Sequence, residues 1–293
     1  MMTEIYAALT TPLTSPTGPI DAAYLARHLR WLEDKGLDGV VPGGTTGEGP
    51  SLTVAERMQL IDLVLANCGE LKVIPGTGCA ALNDTIALTR HAIDAGCDAA
   101  LVLPPFFIKN PSEAGLIAFY RAVCDALPPH AKLVLYHIPP MSAVAITPGL
   151  IDALYASHPQ MVYGLKDSGG DAANTAMLTA RFPELRVFTG AAPLFARALA
   201  DGAAGGIFAI ANAFPRELRA VADAHAAGGD VAAAQTRVAA ISDAIKGYGN
   251  VGALKALLPE IVGLPQIASR PPIISIQGEP AAALWGQIAP LMG

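Results

Sequence analysis

Lys166 is the side chain in this sequence best placed for covalent chemistry. It ends the run Met161-Val-Tyr-Gly-Leu, and a lysine closing an apolar segment is drawn out of water. Desolvation penalises the ammonium, so such a residue is driven toward a neutral amine able to attack a ketone. The plainer alternative is an exposed strand end paired with its neighbour Asp167. Tyr136 ends the preceding apolar run, Leu133-Val-Leu. At an equivalent height its phenol can pass protons to and from an imine or a hydroxyl, although a core tyrosine is the ordinary use. A third piece is Gly43-Gly44-Thr45-Thr46-Gly47-Glu48-Gly49. Its backbone N–H groups and two hydroxyls, without bulky side chains, suit an anion, either carboxylate or phosphate. A tight turn is the alternative, and the missing Gly-Lys-Ser/Thr argues against a nucleotide-binding loop. Gly76-Thr77-Gly78 reads as a turn.

Elements must bring these pieces together. Short apolar runs at 5–9, 39–42, 72–76, 99–103, 133–137, 162–166, 186–189 and 206–210 read as strands apolar on both faces. Between them, 21–35, 53–67, 83–95, 112–125 and 171–181 read as amphipathic helices. Thr53 with Glu56 forms a capping box, Ser112 and Asp171 are N-caps, and Gly36 and Gly96 suit left-handed C′ positions. Eight β-α units predict a (β/α)8 TIM barrel over residues 1–228, with an open doubly wound sheet as the alternative. Helical runs at 217–227, 231–246, 251–258 and 281–292 predict that the first closes the barrel. The others make a helical C-terminal region, 229–293, packed on it. A last strand-like run lies at 273–276.

Composition narrows the function classes. Of 293 residues 52% are hydrophobic and 15% charged, with a net charge of −6. A charged share below the roughly 25% of ordinary domains excludes disorder and demands a large buried fraction. The longest stretch without Asp, Glu, Lys or Arg, 133–151, contains His137 and three prolines, which argues against a membrane span. The start, MMTEIYAALT, lacks the pattern of a secretory signal, so a cytoplasmic protein is expected. With a pI near 5.5 and no basic cluster, nucleic acid is not an expected partner. Cys68, Cys79, Cys97 and Cys124 are widely spaced and read as free buried thiols.

A barrel places catalytic groups at the C-terminal ends of its strands. That puts Gly43–Gly49 after strand 2, Tyr136-His137 at strand 5 and Lys166-Asp167-Ser168 at strand 6. Thr189-Gly190 ends strand 7, and strand 8 runs into Ala211-Asn212. The segments Gly44-Thr-Thr-Gly-Glu48, Tyr136 followed by Pro139, Gly164-Leu-Lys-Asp-Ser168, Thr189-Gly190 and Gly205-Gly-Ile-Phe-Ala-Ile-Ala-Asn212, in this order, resemble the dihydrodipicolinate synthase / N-acetylneuraminate lyase family. These are class I, Schiff-base pyruvate aldolases, and the resemblance covers nearly the whole chain.

The resemblance implies specific roles. Lys166 would form a Schiff base with C2 of pyruvate or another 2-oxo acid, and Tyr136 would be the general acid/base. Gly44, Thr45 and Thr46 would hold the carboxylate, with the Ile207 backbone and Gly190 lining the same pocket and Glu48 bracing the loop. Pyruvate and an aldehyde are the expected small-molecule partners, no metal or organic cofactor is expected, and the assembly would be a homotetramer, a dimer of dimers. Two positions depart from the synthase pattern. Met141 stands where an arginine would bind the aldehyde's carboxylate, and Phe107 stands where a tyrosine would join a proton relay. With Phe106 they imply an acceptor pocket with neutral walls, in which His137 replaces the usual asparagine. Lys109 and Arg270 are candidate anion binders, against ordinary exposed loop charges. The leading reading is an aldolase of a 2-keto-3-deoxy sugar acid or similar 2-oxo acid. Rivals are a dehydratase on the same scaffold, dihydrodipicolinate synthase itself, and a non-catalytic oxo-acid-binding barrel.

Overall fold

The eight apolar runs form eight parallel strands in a computed structural model that describes residues 3–292. They are β1 Glu4–Ala7, β2 Gly39–Val40, β3 Lys72–Val73, β4 Ala100–Val102, β5 Leu133–His137, β6 Val162–Asp167, β7 Arg186–Thr189 and β8 Gly205–Phe208. Their order, β3-β2-β1-β8-β7-β6-β5-β4, leaves β3 and β4 at the ends. A parallel bridge between Gly76 and Leu101 joins those ends and closes the ring. Several strands are shorter than their apolar runs. Pro42 and Pro75 have no N–H for a ladder and so belong to the loops beyond β2 and β3.

Helices follow the strands: α1 Ala22–Asp34, α2 Val54–Leu65, α3 Leu82–Asp94, α4 Glu113–Asp125, α5 Pro139–Ser142, α6 Pro148–Ser157, α7 Ala172–Arg181, α8 Phe195–Ala200 and α9 Pro215–Ala226. Three more, α10 Ala232–Gly247, α11 Val251–Val262 and α12 Glu279–Ile288, complete the chain. The Thr53–Glu56 capping box and the Ser112 and Asp171 caps form as the sequence predicts. Gly36 and Gly96 take the left-handed backbone with φ of 77° and 97°. Three helices are absent from the sequence reading. In α6, Pro148 looks like a breaker but occupies the first turn behind the Thr147 cap, where its missing N–H costs nothing. The α5 and α8 helices are too short to show a helical period. The strand-like run at 273–276 is not a strand: its backbone packs on α11, where a Cβ on Gly252 would fall 2.4 Å from Ile274 O, rather than on a neighbouring strand.

Alternation along the strands sorts residues between two apolar layers. Tyr6, Val41, Leu101, Val134, Tyr136, Phe188 and Ile207 fill the inside of the ring. Leu133, Leu135, Leu165 and Val187 face outward against α4, α6 and α7. A third cluster continues from Ile5 and Ala7 through Phe214 and Leu218 to Ile241, Leu254 and Leu284, so α10–α12 share the barrel's core. His28 of α1 is fully buried, its Nε2 2.9 Å from the carbonyl oxygen of Asn212, which follows β8. Asn212 in turn donates to Ala8 O (2.7 Å) and accepts from Thr10 N–H (3.0 Å), tying the end of β8 to that of β1. All four cysteines are free thiols. Burial pushes Cys97 up to about 12 and Cys124 up to about 11, which keeps both protonated and unreactive.

Candidate active site

The parity that sends Leu165 outward turns Lys166 into the ring, at the C-terminal end of β6. Tyr136 is its register partner on β5. Both are buried. The Lys166 ammonium nitrogen lies over the Tyr136 ring, 4.5 Å from its centroid. The Tyr136 hydroxyl is 3.2 Å from Thr45 Oγ1. Asp167, on the opposite parity, points away from both. Its carboxylate accepts from Gly169 N–H (2.9 Å), Asn174 Nδ2 (2.9 Å) and Thr175 Oγ1 (2.8 Å). The alternative of a Lys166–Asp167 pair therefore does not hold. Among the described residues no carboxylate lies within ion-pair distance of Lys166. A cavity of about 430 Å³ opens above the lysine, lined by Thr45, Thr46, Tyr136, Ser168, Gly190 and Ile207 among others.

The turn bearing Thr45 and Thr46 is held from several sides. Gly43 has φ of 66° and Glu48 has φ of 58°, both left-handed. Gly49 N–H bonds Gly44 O (3.0 Å), and a Cβ on Gly49 would fall 2.0 Å from Gly43 O, so only glycine fits there. Gly44 lines a small void of about 20 Å³ behind Tyr136 rather than the main cavity. Glu48 is buried and ion-paired with Lys255 of α11, neither side chain exposed at all. Its second carboxylate oxygen accepts from Arg270 N–H (2.7 Å), and Lys255 also donates to Ala268 O (2.7 Å). Burial drives the Lys255 pKa below the ordinary lysine value, against the opposing pull of Glu48.

Two members of this framework escaped the sequence reading. Lys255 carried a usable signal: it is a single cation in the apolar run Val251-Gly-Ala-Leu-Lys-Ala-Leu-Leu, the same pattern that marked Lys166. Arg57 carried none, because one charge per turn is normal on an amphipathic helix. It is buried, and its guanidinium donates to Gly76 O (2.6 Å) and Gly78 O (3.1 Å), fixing the loop after β3 beside the turn.

The expected acceptor pocket is assembled differently from the sequence reading. Met141 lines the cavity at its open rim. Phe107 is 81% exposed and, like Phe106, does not line it, because its loop turns outward into solvent. His137 shares the outward parity of Asp167. Its Nδ1 accepts from Ile146 N–H (3.1 Å), and burial depresses its pKa, so it serves as a structural acceptor. Lys109 folds back on the carbonyl oxygens of Phe106 and Ser142. Arg270 is spent on Glu56, at 3.0 Å from each of the two carboxylate oxygens. Its guanidinium holds Glu56 down to about 2. In place of these residues the far wall comes from the C-terminal helices, through Ser242, Ile245, Asn250 and Val251.

The family model described as the dihydrodipicolinate synthetase family matches residues 1–288. The chain belongs to that family. Within the dihydrodipicolinate synthetase family it is 53% identical over 280 residues to a protein of Chloroflexus aurantiacus called an uncharacterized DapA-like lyase, covering 96% of this chain and 94% of that one. It is 32% identical over 291 residues to a 4-hydroxy-tetrahydrodipicolinate synthase of a Synechococcus species, covering 98% and 95%. Among solved structures, KD(P)GA from T. tenax superposes with a TM-score of 0.90 at 26% identity, covering 99% of both chains. YagE from E. coli K12, solved in complex with pyruvate, gives a TM-score of 0.91 at 25% identity and covers 99% of both. The resemblance drawn from five sequence segments is thereby borne out, together with the TIM barrel. Like other members of this lyase family, the protein is a carbon–carbon lyase of the Schiff-base pyruvate aldolase class.

Proposed function

We propose that Lys166 is the Schiff-base lysine of this aldolase and Tyr136 its proton carrier. One observation supports this above the rest: a buried amine, free of any carboxylate, faces a cavity with a tyrosine hydroxyl–threonine pair beside it. The Nζ lone pair adds to C2 of pyruvate, and the ketone oxygen takes a proton from Tyr136. The tyrosinate takes a proton back from the nitrogen and passes it to the new hydroxyl, which leaves as water; the iminium so formed draws electrons from C3 as a C3 proton passes to the tyrosinate. The resulting enamine carbon bonds to the carbonyl carbon of an aldehyde, whose oxygen is protonated. Water then hydrolyses the imine, releasing a 4-hydroxy-2-oxo acid and free lysine; the reverse sequence cleaves it. Proton transfer by a positioned phenol supplies about 10²–10⁴-fold of the rate. Thr45, Thr46 and the backbone of the Gly44 turn hold the oxo-acid carboxylate, while Ile207 and Gly190 confine its methyl end. The iminium is itself the electron sink, so no metal or organic cofactor takes part.

The substrate fitted best by these walls is a 2-keto-3-deoxy sugar acid, with pyruvate as one product. Met141 at the rim cannot pair with a carboxylate, which weighs against dihydrodipicolinate synthase. A homotetramer, a dimer of dimers, acting in the cytoplasm, is the assembly and place we propose, as the family resemblance implies. Among the described residues no helix is long and apolar enough to cross a membrane. Borohydride reduction in the presence of pyruvate, followed by peptide mass spectrometry, tests the reading. N-(1-carboxyethyl)lysine at position 166 is expected. Folded protein without that adduct, or with it on another lysine, refutes the assignment.

A further inference from the structure

Three lysine or arginine side chains are buried among the described residues: Lys166, Lys255 and Arg57. Lys166 faces the cavity and Lys255 is paired with Glu48. Arg57, 6% exposed, has no carboxylate among the described residues within ion-pair distance. Its terminal nitrogens are engaged, one on Gly76 O (2.6 Å), the other on Gly78 O (3.1 Å) and the Cys79 sulfur (3.0 Å). Its Nε–H is buried and meets no acceptor within the described protein. That nitrogen faces Gly43, where a Cβ would lie 3.9 Å from it. Gly43, Thr45, Arg57 and Tyr136 together line the void of about 20 Å³ behind the phenol. Roughly 10–15 Å³ admits one water, which needs two to four polar partners. The Tyr136 hydroxyl has a single partner among the described residues, Thr45 Oγ1 at 3.2 Å. An unmet donor, a phenol with capacity to spare and a space of one water's size therefore coincide.

We propose that this void is a one-water site, in which the water accepts from Arg57 Nε–H and donates to the Tyr136 oxygen. Arg57 is thereby a positioning residue for the proton transfers of Tyr136. The proposal rests on the aldolase reading above and adds a residue on the other side of the phenol, since Arg57 lines the void and not the substrate cavity. Each time Tyr136 gives up its proton it is left as a phenolate. Hydrogen bonds to its oxygen strengthen as that charge appears. A water already ordered by a fixed cation meets the charge without reorganising, and does so away from bulk solvent. The guanidinium stays protonated throughout, so it steadies the phenolate without competing for the proton. This also gives a reason for a buried arginine held by glycine carbonyl oxygens alone. A carboxylate in their place would cancel the pull of the cation on the phenol.

A high-resolution crystal structure of the parent protein reads the site without any variant. An ordered water within hydrogen-bond distance of both Arg57 Nε and the Tyr136 oxygen is expected, and a dry void overturns the proposal. Exchange of the C3 hydrogens of pyruvate for deuterium in D2O, followed by proton NMR, reads the phenolate's step with no aldehyde present. Arg57→Met is expected to slow this exchange by about tenfold or more, the worth of a charge-assisted hydrogen bond, with half-saturation by pyruvate unchanged. Arg57→Lys keeps a cation behind the phenol and a donor for Gly76 O, and is expected to recover most of the loss. In a Tyr136→Phe background either substitution is expected to change the residual exchange by less than about twofold, because the group it acts through is gone. An equal loss in that background, or a loss seen only as weaker pyruvate binding, makes Arg57 a mere brace of the loop and overturns the proposal. Borohydride trapping separates this failure from that of the aldolase reading. A Lys166 adduct together with parental exchange in Arg57→Met refutes the role of Arg57 alone. Absence of the adduct from folded parent protein refutes the aldolase reading and this proposal with it.

Discussion

Replacing Lys255 with methionine keeps an unbranched side chain, one atom shorter, and removes the charge and its donors. Glu48 is then left with its carboxylate fully buried and Arg270 N–H as its remaining charge-assisting partner, and Ala268 O loses the Lys255 donor. Breaking a buried ion pair from one side costs about 3–5 kcal/mol, because the orphaned charge cannot reach water. On the thermal scale of large domains this is on the order of 10 °C in Tm. The double variant Lys255→Met/Glu48→Gln removes both charges and keeps a carbonyl to accept from Arg270 N–H. It is expected to regain at least about 2 kcal/mol, since a neutral pair no longer needs solvation. Equilibrium urea denaturation of the parent, single and double variants measures all three. A single variant within about 1 kcal/mol of the parent, or a double variant no better than the single, refutes the reasoning. In that case the buried pair would not be what clamps the Thr45–Thr46 turn to α11.

Tyr136→Phe is expected to leave borohydride trapping of pyruvate possible but to cut kcat by about 10²–10⁴-fold; unchanged turnover removes the phenol from the mechanism. His28 carries the clearest pH dependence of stability. Burial lowers its pKa from 6.5 to about 4 despite the Asn212 carbonyl oxygen, so between those values the unfolded chain binds a proton that the folded chain refuses. The contribution is therefore fully present above pH 6.5 and is lost as pH falls toward about 4, amounting to about 3 kcal/mol across that window. Denaturation midpoints at pH 7 and pH 5 are expected to differ less in His28→Gln than in the parent. An identical pH slope in the two proteins contradicts the assignment.

The parts of the site legible in the sequence were those with a local signature. Lys166 and Tyr136 each end an apolar run, and the Gly43–Gly49 turn is dense in small residues, so strand position alone located them. His137 was legible in principle. Once Lys166 is placed inward, alternation sends both Asp167 and the residue after Tyr136 outward, and the structure places His137 there. Phe107 was not legible, because a loop has no period from which to read direction. The partnership of Glu48 with Lys255 spans 207 residues and exists only when α11 packs against the turn. The same holds for Arg270, whose exposed appearance in a proline-rich segment concealed its pairing with Glu56. Strand ends were blurred where proline followed an apolar run, and α6 was hidden because proline and glycine at its start look like breakers when read without the Thr147 cap.

The separation of the two cavity walls has a consequence for how such a protein can change over generations. The proposed bond-making groups, Lys166 and Tyr136, sit on strand ends fixed by the ring's own register. The opposite wall rests on α10 and the turn before α11, outside the ring, so a change there reshapes the cavity without moving a strand end. The shape of the cavity's mouth can thus vary separately from the strand ends beneath it. The Lys255–Glu48 clamp sets the boundary of that freedom, since α11 can drift in its surface but not in its seat.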